Sequence, residues 1–286
     1  MKISAFTFIK NGQLLGYPFI QSIQSVLSIV DEFVINVGES DDDTLLLIQS
    51  ISSSKIRIIQ SKWNQSMHDR GYVYGQQKMI AQFNCTGDWA FYIEGDEIYH
   101  EDDLNQIKSA MQENFENSRV EALAFDFYHF YGNVNTYLNS PGWYRSEARI
   151  IKTSIRSYAP DGLFWLVLDS NKKGRYPRAK NIGVSCFHYG WVRSEDQMNL
   201  KSQQVQKYWG KSYKNISYSQ IDVNILKKFK GSHPKVVQEW LPNNSGLFEP
   251  DPLYKLTQKQ KKHRIMLKFE SFFGIDLSKK HYKLVK

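Results

Sequence analysis

The sequence predicts an α/β protein: a mostly parallel sheet flanked by helices, a smaller mixed sheet, and a helical C-terminal tail. Three observations carry this. Strand and helix patterns alternate four times between about residues 3 and 115. The strands of that stretch are short apolar runs such as EFVINV, Glu32–Val37, the pattern of strands covered on both faces. After about Val120 the alternation gives way to aromatic strand-like segments broken by the turn signal Ser140-Pro141-Gly142.

Taken in order, Ile3–Ile9 reads as a strand and Leu14–Ile29 as a helix, with Leu15, Phe19, Ile23, Val26 and Leu27 at helical spacing. Glu32–Val37 follows as a strand. Asp41–Asp43 open a helical stretch through about Ile51, where carboxylates suit a helix N-terminus. Lys55–Ile59 is a strand, Gly71–Phe83 a helix, Asp88–Ile93 a strand, and Glu101–Phe115 a helix that begins with acids. Further on, Val120–Tyr131, Arg145–Lys152, Phe164–Leu168 and Ile182–Val192 read as strands, and Glu195–Tyr208 and Tyr218–Lys228 as helices. Parallel βαβ units of this kind bind ligands at the carboxyl ends of their strands. The expected division is a body at 1–233, its halves meeting near residue 118, and an extension at 234–286.

Composition narrows the class. A chain of 286 residues can bury one large core, and 14% aromatic content excludes disorder as the dominant state. No apolar run approaches the roughly 20 residues of a membrane span. The first residues read as a buried strand, not a signal peptide. Cys85 and Cys186 have no metal or redox spacing, so free thiols and a cytoplasmic setting are expected. The net charge of +8 lies in the tail: residues 255–286 carry ten Lys or Arg and two acids, and the remainder balances at 27 of each. That placement argues against a nucleic-acid groove in the folded body. A basic tail with Ile265, Met266, Leu267, Phe269, Phe272, Phe273 and Ile275 suits either a helix docked on the body or peripheral contact with an anionic membrane.

The most informative segment is GDWAFYIEGDEIYHEDD, Gly87–Asp103. An apolar strand ends in Glu94-Gly95-Asp96-Glu97. Carboxylates gathered at the end of a buried strand are costly without positive charge. Mg²⁺ or Mn²⁺, held by hard oxygen ligands, would supply it. The other reading is an acidic loop capping the helix near Glu101.

Four pieces in order carry a family resemblance: FIKN (Phe8–Asn11) ending the first strand, NVGESDDDT (Asn36–Thr44) after the second, the amide-rich helix from Gln76, and GDWAFYIEGDE ending at Glu97. Together they resemble the GT-A-fold (Rossmann-like) glycosyltransferases, family 2 in particular, over about residues 3–115 and more loosely over 120–210. The resemblance implies a metal-dependent, inverting, hexosyltransferase-type enzyme of surface-polysaccharide biosynthesis. Such an enzyme moves a sugar from a nucleotide-sugar donor to a glycan or lipid-linked acceptor, here through an acceptor half at 119–233. By resemblance, Thr7, Lys10, Asn11, Asn36 and Glu39 would hold the nucleoside, with Gln77 and Lys78 reaching base or ribose. Asp96, Glu94 and His188 would hold Mn²⁺ or Mg²⁺; Glu97 would join them or point elsewhere. Arg193 and Lys201 would neutralise the leaving diphosphate, or stand as exposed helix charges. Asp161 would be the base, or simply good turn chemistry, with Glu147 and Asp196 in reserve; His188 could equally be a core histidine. Two departures stand out. The usual nucleobase-holding Asp is missing from the second loop, and the acidic turn starts with Glu94 where the family has Asp. The rival readings are a catalytically silent glycan- or nucleotide-binding protein on the same fold, and a sugar-phosphate nucleotidyltransferase. The latter would need a Gly-rich phosphate loop that FIKNGQLLG does not supply.

Overall fold

The computed structural model describes residues 1–286 apart from 171–172, 211, 213–214 and 242–247. The first half contains β1 (Ile3–Ile9), α1 (Phe19–Gln24), β2 (Glu32–Gly38), α2 (Thr44–Gln49), β3 (Ile56–Ser61), α3 (Tyr72–Phe83), β4 (Trp89–Tyr92), β5 (Glu97–Tyr99) and α4 (Leu104–Glu113). The second half contains β6 (Ala122–Tyr131), β7 (Thr136–Leu138), β8 (Ser146–Lys152), β9 (Ser157–Tyr158), β10 (Leu166–Leu168), β11 (Gly174–Arg175), β12 (Arg178–Trp191), α5 (Glu195–Gln206) and β13 (Leu226–Lys228). The tail contains α6 (Gln258–Phe273) and β14 (Lys283–Leu284).

Among the described residues the main sheet follows the path β13-β7-β6-β8-β4-β1-β2-β3. Its β4-β1-β2-β3 part is wholly parallel. β8 then joins both β4 and β6 antiparallel, and β12 runs parallel to β6 while carrying β5 antiparallel along its second half. The small sheet β11-β10-β9 is antiparallel. The α/β class predicted from the alternating pattern is the one found.

Helices cover both faces because the strands are apolar on both. Ile3, Ala5, Phe33, Ile35 and Phe91 pack with Phe19 and Ile23 of α1 and with Ile107 and Met111 of α4. The alternate residues Phe6, Val34, Ala90 and Tyr92 pack with Met79 and Ala81 of α3. Each fully buried large apolar side chain contributes about 1.5–3 kcal/mol.

Three expected elements differ. The helix expected over Leu14–Ile29 is continuous only over α1. Pro18 precedes its first residue, and Gly16 turns the chain with φ +62°, so the apolar spacing before them belongs to a loop. The helix expected over Tyr218–Lys228 is a single tight turn at Val223–Ile225 followed by β13. Asp222 accepts from the Asn224 amide and starts that turn, and Leu226 then pairs with Leu138 of β7. The tail is helical only as far as Gly274, after which β14 pairs with the start of β12. Residues 242–247 of the extension lie outside the described residues.

Candidate active site

The carboxyl ends of β1, β2 and β4 converge where a ligand is expected. Most of the polar side chains at the first two ends bind each other. Asn11, at φ +53°, donates to Asp41 through its side chain and accepts from the Asp41 amide. Its own amide donates to Ser40, the Gly12 amide to Thr44, and the Leu14 amide to Asp42. The acidic loop after β2 therefore staples the loop after β1. Thr7 is buried, Lys10 half-buried. Glu39 is exposed and pairs with Lys62 at 3.2 Å.

Asn36 and Gln77 come together as the sequence suggests. Asn36 is fully buried, and its Nδ2 donates to the Gln77 carbonyl and Oε1 at 3.0 and 2.9 Å. Among the described residues, Asn36 Oδ1 is buried without a hydrogen-bond partner, as is Trp63 Nε1. Gly38 lies against that indole: a Cβ there would be 2.5 Å from Nε1. The end of β2 thus presents an unmatched acceptor, and the loop after β3 an unmatched donor. Lys78 is buried over the rings of Tyr92 and Trp165, 3.9 and 4.0 Å from their centroids. It donates to the carbonyls of Gly162 and Leu163. Burial, then Arg149, pushes its ammonium down to about 7.

The acidic turn between β4 and β5 divides its three carboxylates. Glu97 is fully buried and held by Arg149, whose Nε sits at 3.0 and 2.9 Å and Nη2 at 2.6 Å. Glu94 leans on the same guanidinium at 3.3 Å. Burial, reinforced by Glu97, pushes the Glu94 carboxyl up to about 8. Asp96 faces the other way, toward Lys201 (Oδ2–Nζ 3.0 Å), Arg193 (Oδ2–Nη2 3.8 Å) and His188 (Oδ1–Nε2 3.6 Å). Burial alone would raise its carboxyl, but the Lys201 ammonium, and after it the Arg193 guanidinium, outweigh it and hold the group below the ordinary range. A Cβ at Gly95 would lie 3.2 Å from the end of the Ile9 side chain, close enough to require a small shift there.

The hydrogen-bond network assigns the His188 tautomer. His129 Nε2 lies 2.7 Å from the Tyr144 carbonyl and must donate to it. Burial lowers the pKa of both His129 and His188, so both rings are neutral at pH 7. His129 Nδ1 is then an acceptor, and His188 Nδ1, at 2.9 Å, donates to it. That leaves a lone pair on His188 Nε2 facing the Asp96 carboxylate. Two acceptors 3.6 Å apart call for positive charge between them. Space is kept there by Gly190, where a Cβ would come within 2.5 Å of His188 Nε2 and 3.1 Å of Asp96 Oδ2. Oxygen and imidazole donors suit Mn²⁺ or Mg²⁺, so Asp96 and His188 fit a divalent cation. Glu94, engaged by Arg149, does not join them.

Arg193 and Lys201 are not exposed helix charges. Arg193 is fully buried, stacks on Tyr17 at 4.5 Å and donates to the carbonyls of Gly16 and Gly190. Among the described residues its Nη2 lacks a hydrogen-bond partner. Lys201 sits over the same ring at 4.6 Å. Burial, then Arg193, pushes it down to about 8.

Asp161 is half-buried, in the loop whose next two carbonyls hold Lys78. Its Oδ1 accepts from the amides of Leu163 and Phe164. Of the reserves, Glu147 is fully buried and bonded to His281 of the tail, and Asp196 is exposed in the first turn of α5. The sequence reading missed Arg149, His129 and Tyr17. A charge inside the apolar run ARIIK and a His inside FYHFY were the available signals. Tyr17 gave none.

No family model matches the chain. A stretch of 96 residues, 34% of this chain, is 34% identical to a Rickettsia felis protein named "Uncharacterized glycosyltransferase" and covers 29% of its length. A stretch of 107 residues is 30% identical to a similarly named Rickettsia typhi protein, covering 32% of it. This stretch of the chain is glycosyltransferase-like. The chain spans about three-tenths of the length of the curated relatives it matches. Among solved structures, Staphylococcus aureus TarS aligns at TM-score 0.41 and 14% identity, covering 71% of this chain and 39% of that one. TarS 1-349 in complex with UDP-GlcNAc aligns at TM-score 0.35 and 13% identity, over 54% of this chain and 46% of that one. Overlaps this loose transfer no residue's role to this chain.

Proposed function

We propose that the chain is a metal-dependent, inverting glycosyltransferase of the GT-A family 2 kind. It would move a hexose from a nucleotide-sugar donor to a hydroxyl of a glycan or lipid-linked acceptor in surface-polysaccharide assembly. The observation that carries this is the side of the acidic turn that faces away from Arg149. There Asp96, the His188 lone pair, Lys201 and the unmatched Arg193 Nη2 meet at the carboxyl end of β4.

The unmatched Asn36 Oδ1 and Trp63 Nε1 would bond the nucleoside, and Arg193 and Lys201 the diphosphate oxygens. Asp96 and His188 would hold the cation, which when bound supplies Lewis-acid stabilisation of the departing diphosphate. Asp161 would take the acceptor's hydroxyl proton. The freed oxygen attacks the anomeric carbon, and the bond to the diphosphate breaks with its electron pair leaving on the diphosphate. The two flanking cations meet the charge that builds there.

The test is release of free nucleotide from a panel of UDP, GDP, CMP and dTDP sugars with Mn²⁺, comparing wild type with Asp161→Asn. The expected result is turnover of one donor class, lowered on the order of 100-fold or more in the variant with donor affinity retained. Undiminished turnover would remove Asp161 as base. No release and no nucleotide binding would favour the silent binding protein.

A further inference from the structure

The C-terminal helix is amphipathic in an inverted sense. Its inward side meets the body largely through charge. Arg264 pairs with Asp222 at 2.7 and 3.0 Å, and Glu270 accepts from Arg145 at 2.8 and 2.9 Å. Asp276, just beyond the helix, pairs with the same Arg145 at 3.0 Å and with Lys280 at 2.7 Å. Of the helix's apolar residues, Leu267 is packed partly into the body, beside Trp143 and Tyr131.

The outward side carries the large apolar side chains. Ile265, Phe269, Phe272 and Phe273 lie at i, i+4, i+7 and i+8, one stripe of the helix. They are 64%, 54%, 82% and 55% exposed, and Ile275 continues the stripe at 48%. Phe273 touches Phe269 and Phe272 with ring centroids 4.9 and 4.8 Å apart, so the rings cluster with one another at the surface. Lys261, Lys262, Lys268 and Lys279 are exposed around them. The two acids of residues 255–286 are Glu270 and Asp276, and both are taken up by the ion pairs above.

We infer that this lysine-rimmed aromatic stripe docks on an anionic phospholipid surface. Charge selects the occupant. A second copy would bring two segments of net +8 face to face, whereas anionic headgroups neutralise them. The aromatic stripe supplies the apolar depth that charge alone lacks, as in helices that lie in the membrane interface. The ion pairs to Arg145 and Asp222 hold the stripe outward. Arg145 follows Tyr144, whose carbonyl fixes His129, so the docked helix adjoins the loop beside the site. That such docking brings the site to a lipid-linked acceptor rests on the function proposed above; the docking itself does not.

The test is co-sedimentation of the full chain with vesicles of phosphatidylglycerol and phosphatidylcholine, against phosphatidylcholine alone. The variants are Phe269→Ser/Phe272→Ser/Phe273→Ser and Lys261→Gln/Lys262→Gln/Lys268→Gln, all at exposed positions. Wild type should bind the anionic vesicles only, more weakly at high salt. The serine variant should lose roughly 100-fold or more in partitioning, and the glutamine variant should also weaken. Equal binding by the serine variant, equal binding to neutral vesicles, or a solution dimer that the serine variant dissolves would overturn the proposal. Because the readout is lipid binding, its failure is separate from any failure of sugar transfer.

Discussion

Glu97 and Asp96 are neighbours in the chain and opposites in the molecule. Glu97 is sealed by Arg149, with three contacts of 2.6–3.0 Å and no exposure. Asp96 has charges around it but, among the described residues, only one direct hydrogen bond from the three groups that face it, that of Lys201. The difference teaches that a run of carboxylates can split between architecture and chemistry at a single peptide bond. β5 begins at Glu97 and pairs with β12, so alternation sends Glu97 and Asp96 to opposite sides. One side is closed by a guanidinium. The other meets Lys201, Arg193 and His188.

Breaking the closed side should cost most. Arg149→Met leaves Glu97 buried without its counter-charge, so stability should fall by about 3–5 kcal/mol, read from the denaturation midpoint. A change under ~1 kcal/mol would mean the pair is not structural. On the Asp96 side, Asp96→Asn should lower turnover by about 100- to 1,000-fold and also cost stability, because Lys201 and Arg193 lose their counter-charge; steady-state rates and thermal melts on the same preparation would show both. A large loss of stability with ordinary turnover would reverse the roles assigned to the two acids.

A smaller effect sharpens the comparison. His129 touches neither the acidic turn nor the space beside it, yet its bond to His188 Nδ1 is what turns the Nε2 lone pair toward Asp96. His129→Phe should therefore weaken Mn²⁺ affinity by roughly 10- to 100-fold, measured by calorimetric titration, with nucleotide affinity in EDTA unchanged. Unaltered Mn²⁺ affinity would free His188 from this positioning role.

A further effect on the closed side is a pH slope at Lys78. Its folded pKa, about 7, lies below the ordinary 10.5. Between these values the unfolded chain holds more protons, so this group adds stability as pH rises from 7 toward 10. Lys78→Met has no proton to bind. The stability difference should shift in favour of wild type across that window, and a flat difference would contradict the depressed value.

Much of this was readable beforehand because it follows from local pattern. Short apolar runs marked β1 to β4, and an apolar strand ending in acids marked the turn. His188, Arg193 and Lys201 were named in the sequence and do meet Asp96. What escaped depends on pairing between distant segments. Nothing near Arg149 announces that β8 places it under Glu97, 52 residues away. The acids Asp41 and Asp42 look like helix-terminal charges, yet they bind the amide groups of the loop after β1. The apolar spacing of 14–29 promised a longer helix than Pro18 and Gly16 allow.

The most direct test is calorimetric titration of nucleoside diphosphates into the full chain, in Mn²⁺ and in EDTA, repeated with Asp96→Asn. The Asp96 side of the turn predicts that one diphosphate binds at least ~10-fold more tightly with Mn²⁺ and that the variant loses the difference. Binding of equal strength with and without Mn²⁺, and untouched in Asp96→Asn, would contradict it.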